Sequence, residues 1–144
     1  MIRRFRSGDQ KGIALLEAEC FSHPWSEEAI VESHINSVIF LVFEEEGKIK
    51  GYVGMQKVLD EGYITNIAVT QSERKKGIGI RLIESLKKVA KEENLRFISL
   101  EVRKTNLAAI SLYKKMGFKE KGIRKNFYTA PVEDGIIMTL EEIE

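Results

Sequence analysis

The stretch whose residue types and spacing most directly suggest chemistry is Arg74-Lys75-Lys76-Gly77-Ile78-Gly79. It lies between a strand-like run and a helical pattern. Its backbone N–H groups therefore stand free at the positive end of a helix, an arrangement that binds phosphate. Glycines at 77 and 79 carry no Cβ and let a ligand lie against the backbone. A Walker A loop needs Gly-Lys-Ser/Thr at the helix start, and here Gly77 is followed by Ile78. A Rossmann fingerprint needs a third glycine where this chain has Leu82, and it follows the first strand of a parallel order rather than the fourth of an antiparallel one. ATP and NAD are disfavoured. By spacing alone the loop is either a site for another phosphate-bearing ligand or a tight basic turn.

Two residues could move protons. Glu101 is a carboxylate in the largely apolar run Phe97-Ile98-Ser99-Leu100-Glu101-Val102, near the end where βαβ sheets meet ligands. A charge there is costly unless paired or used, so Glu101 is a general base or an outward-facing strand glutamate. Tyr113 follows Asn106 by about two helical turns, so both can face one ligand. Alone, it reads as a proton donor or as a packing aromatic. Cys20, the only cysteine, ends an apolar helical face and reads as a buried thiol. His23 and His34 have no metal-ligand spacing, and no metal is expected.

The elements around these residues follow from periodicity. Ile2 to Phe5 is a short first strand. Asp9 is a candidate N-cap for a helix with Ile13, Leu16 and Cys20 on one face, and Ser26-Glu27-Glu28 starts a second helix. Val38–Phe43 and Ile49–Leu59 form a hairpin; Glu61-Gly62 turns into a strand from Tyr63 to Val69. From Gly77 a helix carries Leu82, Ile83, Leu86, Val89 and Ala90 on one stripe, and Phe97–Val102 is the parallel strand it leads to. A shorter helix over Leu107–Met116 stops at Gly117, and Phe118–Ile123 and Ile136–Leu140 are the last strands. The result is a mixed, mainly antiparallel sheet with helices on both faces.

The 144 residues suit one domain spanning 1–144, with 43% apolar and 31% charged residues, a globular balance. No apolar run reaches the ~20 residues of a membrane span, and no apolar segment follows the basic N-terminus as in a signal peptide. A single thiol gives no internal disulfide, so the cytoplasm is expected. The net charge of +1 argues against nucleic-acid binding and no membrane is expected as a partner. The local basic stretches Arg74–Lys76 and Arg124-Lys125 suit a small anion better than a polyanion.

Arg-x-x-Gly-x-Gly between the fourth strand and third helix resembles the acetyl-CoA pyrophosphate loop of the GNAT N-acetyltransferase superfamily. Asn66-Ile67-Ala68-Val69 before it, and Asn106 with Ala108–Phe118 after it, extend the resemblance over nearly the whole chain. The finer likeness is to the RimI group, which acetylates the N-terminal alanine of a ribosomal protein. It rests on Leu100-Glu101-Val102-Arg103, Ile123–Tyr128, Glu133-Asp134 and His23-x-Trp25-Ser26. Phe127 departs from the group's usual tyrosine and Gly135 from a common alanine, which bears on peptide preference.

The resemblance implies an α/β fold of α+β type, a sheet of six to seven strands with four helices. It implies acetyl-CoA as cosubstrate, held by Ile67, Ala68, Val69, Arg74, Lys75, Lys76, Gly77, Ile78, Gly79, Ile80, Asn106 and Tyr113. It makes Glu101 the base and Tyr113 the acid. It places the Val69 N–H at the oxyanion, where the fourth strand bulges and splays from the fifth. The acceptor peptide would lie between Trp25 and a hairpin carrying Phe127, Tyr128 and Asp134, with Glu133 or Asp134 free to pair with a basic peptide. A small-subunit ribosomal protein is the expected partner, and a monomer or weak homodimer the expected state. Alternatives are a lysine, polyamine or other small-amine acceptor, and a non-catalytic acyl-CoA sensor.

Overall fold

The computed structural model describes residues 1–143; the last residue of the expected domain, Glu144, lies outside them. The strands are β1 (Ile2–Arg4), β2 (Val38–Glu45), β3 (Lys48–Val58), β4 (Glu61–Val69), β5 (Phe97–Arg103), β6 (Lys119–Tyr128) and β7 (Glu133–Leu140). The helices are α1 (Asp9–Cys20), α2 (Glu27–Ile35), α3 (Ile78–Glu92) and α4 (Leu107–Lys115). All seven strands form one sheet in the order β1-β2-β3-β4-β5-β7-β6. Every neighbouring pair is antiparallel except β4 and β5. This is the expected GNAT architecture.

Each face of the sheet carries its own core. The α3 stripe, Leu82, Ile83, Leu86, Val89 and Ala90, buries against Leu41, Phe43, Val53, Ile98, Leu100 and Val102. On the other face Ile13 and Leu16 of α1 and Ile30 of α2 pack on Val38, Phe40, Val42 and Tyr52. Strand β2 reads as an unbroken apolar run because helices cover both of its sides. No helix among the described residues is long and apolar enough to cross a membrane.

The feature that makes a site is where β4 and β5 part. They pair only from Glu61–Tyr63 to Phe97–Ser99. Just beyond, the register of β4 against β3 jumps from Gly54↔Asn66 to Met55↔Ile64, leaving Thr65 unmatched. That bulge adds twist, and the rest of β4 runs clear of β5. The splay is as expected; the bulge lies at Thr65 rather than at Val69.

Three local readings are corrected. The turn before β4 is at Leu59-Asp60, with Leu59 at φ 55°, and Glu61 and Gly62 already belong to the strand. Gly62 serves close packing instead: a Cβ there would lie 2.8 Å from Met55 Sδ and 2.9 Å from Leu95 Cδ1. Strands β6 and β7 extend inward to Tyr128 and Glu133, past the expected limits. Asp9 does not cap α1. Its carboxylate turns back to Arg3 (2.7 and 3.0 Å) and to the Arg6 N–H (2.8 Å), tying β1 to α1. Burial works against the Asp9 charge, but Arg3 and Arg6 outweigh it and hold the carboxyl below its ordinary value. A depressed pKa stabilises the fold above the unfolded value near ~3.9 and stops doing so as pH falls through the folded one. Asp9→Ala is expected to cost about 2 kcal/mol at pH 7, measured by urea denaturation, and visibly less near pH 3.

Candidate active site

Strand β4, the loop after it, the start of α3, one face of α4 and the end of α1 enclose a cleft of about 560 Å³. Every residue expected to hold the cofactor lines it except Lys76, which is ion-paired with Glu73 at 2.7 Å. On the β4 side the exposed groups are backbone. Thr70 donates to Lys50 on β3 at 2.9 Å, so by antiparallel alternation Val69 and Ile67 direct their N–H and C=O away from β3, into the gap. The Val69 carbonyl there accepts Arg74 Nε at 3.1 Å and the Cys20 thiol at 3.6 Å. Cys20 is thus half-buried at the cleft wall, not a core thiol, because the apolar face of α1 ends where the sheet opens.

The opposite wall is a helix start with no side-chain cap. Lys75 (φ 66°) and Gly77 (φ 82°) take left-handed conformations that turn the chain sharply into α3. The free N–H groups of the first turn then face the cleft at the positive end of a 15-residue helix. Gly79 is next along; a Cβ on it would meet only Leu112 Cδ2, at 3.5 Å. Asn106 caps α4, its Oδ1 accepting the Ala109 N–H at 3.2 Å, which leaves its amide NH₂ as a donor at the rim.

The two proton-handling candidates sit on either side of the parting strands. Tyr113 is 5% exposed, on the cleft floor, its ring tilted against Phe118 at 5.6 Å. Burial, and secondarily Tyr128, pushes its phenol well above the ordinary value. Glu101 faces away from the α3 core, opposite Ile137 in register, with its side chain 30% exposed and Arg124 Nε 3.1 Å from Oε1. Burial, and secondarily the Glu101 charge, pushes the Tyr128 phenol up as well; Arg103 lies over the Tyr128 ring at 4.5 Å.

The residues expected to receive the acceptor occupy two banks. Phe127 and Tyr128 meet edge to face on β6 at 5.0 Å, and Arg124 reaches over Phe127 at 5.6 Å. A Cβ on Gly135 would lie 3.2 Å from the Phe127 ring, so the chain's two departures from its family pattern touch each other. Asp134 Oδ1 accepts the Asn126 N–H at 2.9 Å and so shapes this hairpin. Glu133 is engaged with Arg103 (3.1 Å) and the Thr105 N–H (2.7 Å), so it is not free for a peptide. Trp25 stands on the other bank against the α1–α2 core, its N–H bonded to Glu17 at 3.0 Å. Sequence reasoning missed Glu17 and the Arg124–Glu101 pair. Glu17 did leave a signal: it is a charge four residues after Ile13, on the apolar face of α1.

Comparison with known proteins agrees with this geometry. Residues 11–118 match the model of the acetyltransferase (GNAT) family. The chain is 35% identical over 127 residues to the [ribosomal protein bS18]-alanine N-acetyltransferase of Escherichia coli strain K12, covering 87% of this chain and 86% of that one. A Bacillus subtilis protein provisionally named for the same activity is 37% identical over 139 residues, 95% of this chain and 92% of its own. The crystal structure of the ribosomal-protein-S18-alanine N-acetyltransferase from Escherichia coli superposes with a TM-score of 0.90 at 33% identity, covering 97% of this chain and 92% of that one. With a family model matched across most of its sequence and a fold to go with it, the chain belongs to the acetyltransferase (GNAT) family.

Proposed function

We propose that this enzyme transfers the acetyl group of acetyl-CoA to the N-terminal α-amino group of a protein, with alanine first and a small-subunit ribosomal protein as the natural acceptor. The observation that carries the cofactor part is the open edge of β4 facing the uncapped start of α3 across one cleft. An extended amide chain fits the first as an added strand, and a pyrophosphate fits the second. The names of the relatives support the acceptor. Such an acceptor makes the cytoplasm the site of action, and the chain would work there as a single domain, a monomer or weak homodimer.

Bound acetyl-CoA supplies an activated acyl group; the chain supplies placement and proton handling. The Val69 N–H is the donor for the thioester oxygen as it gains charge, and it is fixed beforehand by strand pairing on the other side of β4. The phosphates lie on the N–H groups around Gly77–Ile80, assisted by Lys75, with Arg74 bracing the Val69 carbonyl and Lys76 contributing charge from its pair with Glu73. The Asn106 amide donates at the rim. Glu101 takes the amine proton through water, a modest demand for an α-amine: roughly 10% is neutral at pH 7, against less than about 0.1% of a lysine. Trp25, Phe127, Tyr128 and Asp134 form the walls of the acceptor channel.

Tyr113 holds a proton near the departing sulfur. A phenol of ordinary pKa lies about 1.5 units above a thiol, so full transfer is uphill by about 2 kcal/mol, and burial raises the phenol further. Its part is a hydrogen bond that strengthens as the sulfur gains charge. A raised phenol keeps its proton as pH rises, so kcat/KM should climb with a midpoint near pH ~8, as the free amine deprotonates, and then hold its plateau with no falling limb below pH ~10. Tyr113→Phe should lower kcat about 10²-fold and keep the same pH profile.

The direct test measures CoA release with two peptides. One begins with a free alanine; its twin has a blocked N-terminus and a central lysine. Turnover of the first alone is the expected result. Turnover of the twin alone would move the acceptor to lysine, and acetyl-CoA binding without turnover of either would turn the reading toward small amines or a sensor.

A further inference from the structure

Glu17 is a carboxyl group buried to 1% exposure in the last turn of α1, and no part of the chemistry above uses it. It accepts three hydrogen bonds. Oε1 takes the Trp25 backbone N–H at 3.0 Å; Oε2 takes Asn66 Nδ2 at 3.1 Å and the Tyr52 hydroxyl. No Lys, Arg or His among the described residues pairs with it. Burial and the adjoining Glu17 push the Tyr52 phenol up, so that hydroxyl remains a donor.

Tyr52 is a core residue of β3, while the other two donors lead to the two banks of the site. Asn66 lies between the Thr65 bulge and the Ile67–Val69 edge. The bulge interrupts the ladder beside Asn66, and the register beyond it decides which N–H groups reach the gap. Trp25 is on the acceptor bank, and it is held through its backbone, so the bond fixes the loop's path. A side chain of similar size without polar atoms would fill this buried space without a desolvation cost. What the carboxyl adds is a bond to each bank from one rigid group.

We infer that Glu17 is a positioning residue that couples the cofactor-bearing edge of β4 to the acceptor wall at Trp25. Occupation of the β4 edge fixes Asn66, Glu17 carries that to the Trp25 loop, and the acceptor channel is set once the cofactor is in place. By linkage the acceptor favours the cofactor by the same factor. This rests on the acetyl-CoA reading of the cleft.

Trp25 is the only tryptophan, so its fluorescence reports this loop alone. CoA is titrated into the full chain, as wild type, Glu17→Gln and Tyr52→Phe, with CoA affinity measured separately by calorimetry. In the wild type, saturating CoA shifts the Trp25 emission. In E17Q the shift falls below half while CoA still binds, and the KM for the alanine peptide rises about 10-fold. Y52F, which removes one donor and leaves Trp25 bonded, gives an intermediate shift and decides the matter if E17Q does not fold. A purely structural role predicts lower melting temperatures with an undiminished shift, and that result overturns the inference. So does a wild type that binds CoA with no response at Trp25. A wild type that binds no CoA would instead remove the cofactor reading beneath it.

Discussion

Glu101→Gln is expected to lower kcat on the alanine peptide by about 10²–10³-fold at pH 7, with acetyl-CoA affinity changed less than about twofold. The substitution keeps size and shape on β5, so the pairing of Glu101 with Ile137 and the apolar face of Leu100 and Val102 are untouched. It removes the partner of the Arg124 guanidinium, but that guanidinium is 56% exposed, and pairs with an arm so open to water contribute about 1 kcal/mol. A loss of rate is therefore not a loss of fold. The pH dependence separates a base from a merely placed carboxylate. Above pH ~8 most of the α-amine is already neutral, so the variant's deficit should shrink from pH 7 to pH 9. Steady-state CoA release across that range is the measurement. A pH-independent deficit would give Glu101 a binding role, and wild-type turnover at pH 7 would remove it from the chemistry.

How much could be read before folding depended on distance along the chain. The cofactor cleft was legible because its main determinants are local. Gly77 and Gly79 follow the basic run directly, and the stripe of α3 that seats the helix start repeats at 3.6 residues. The Ser26 cap, whose side chain accepts the Ala29 N–H, is local in the same way. The misreadings come from long-range competition. Asp9 has the chemistry of an N-cap, but a guanidinium arriving from β1 offers it two charge-assisted bonds in place of backbone donors. Gly62 looks like a turn residue until Met55 and Leu95 close over it. Nothing in Thr65 marks a bulge, because the bulge is set by how β3 and β4 share register on both of its sides. The contact between Arg124 on β6 and Glu101 on β5 reaches across the β7 strand between them, in a sheet whose order, β5-β7-β6, is not the order of the chain. Glu17 was written in the sequence as an exception on an apolar face, but only the fold supplies its three donors.

The cleft assignment can be tested at a residue where fold and ligand make opposite demands. Gly77 is unsuitable, because its φ of 82° makes any side chain strained, at about 1 kcal/mol, with or without a ligand. Gly79 is inside the first turn of α3 with ordinary helical geometry, and the only atom near a Cβ there is Leu112 Cδ2 at 3.5 Å. Gly79→Val should therefore fold, with a melting temperature within a few degrees of wild type, since valine is no worse a helix former than glycine. Its methyl groups project between α3 and α4, into the space where the backbone N–H groups would meet phosphate. Losing two charge-assisted bonds, at about 1.5 kcal/mol each, corresponds to about 100-fold weaker acetyl-CoA binding. Calorimetric titration with CoA reads this directly, and a thermal melt on the same sample establishes the fold. Should the variant bind CoA as the wild type does, the pyrophosphate does not lie at the start of α3, and the cleft's other wall, the β4 edge, would have to carry the ligand alone. That edge has backbone amides but no positive helix end, and an elongated polyanion held by it alone would lose the part of its affinity that falls with salt. The salt dependence of CoA binding is thus the companion measurement: steep in the wild type and shallow in Gly79→Val if the helix start is where the charge is met.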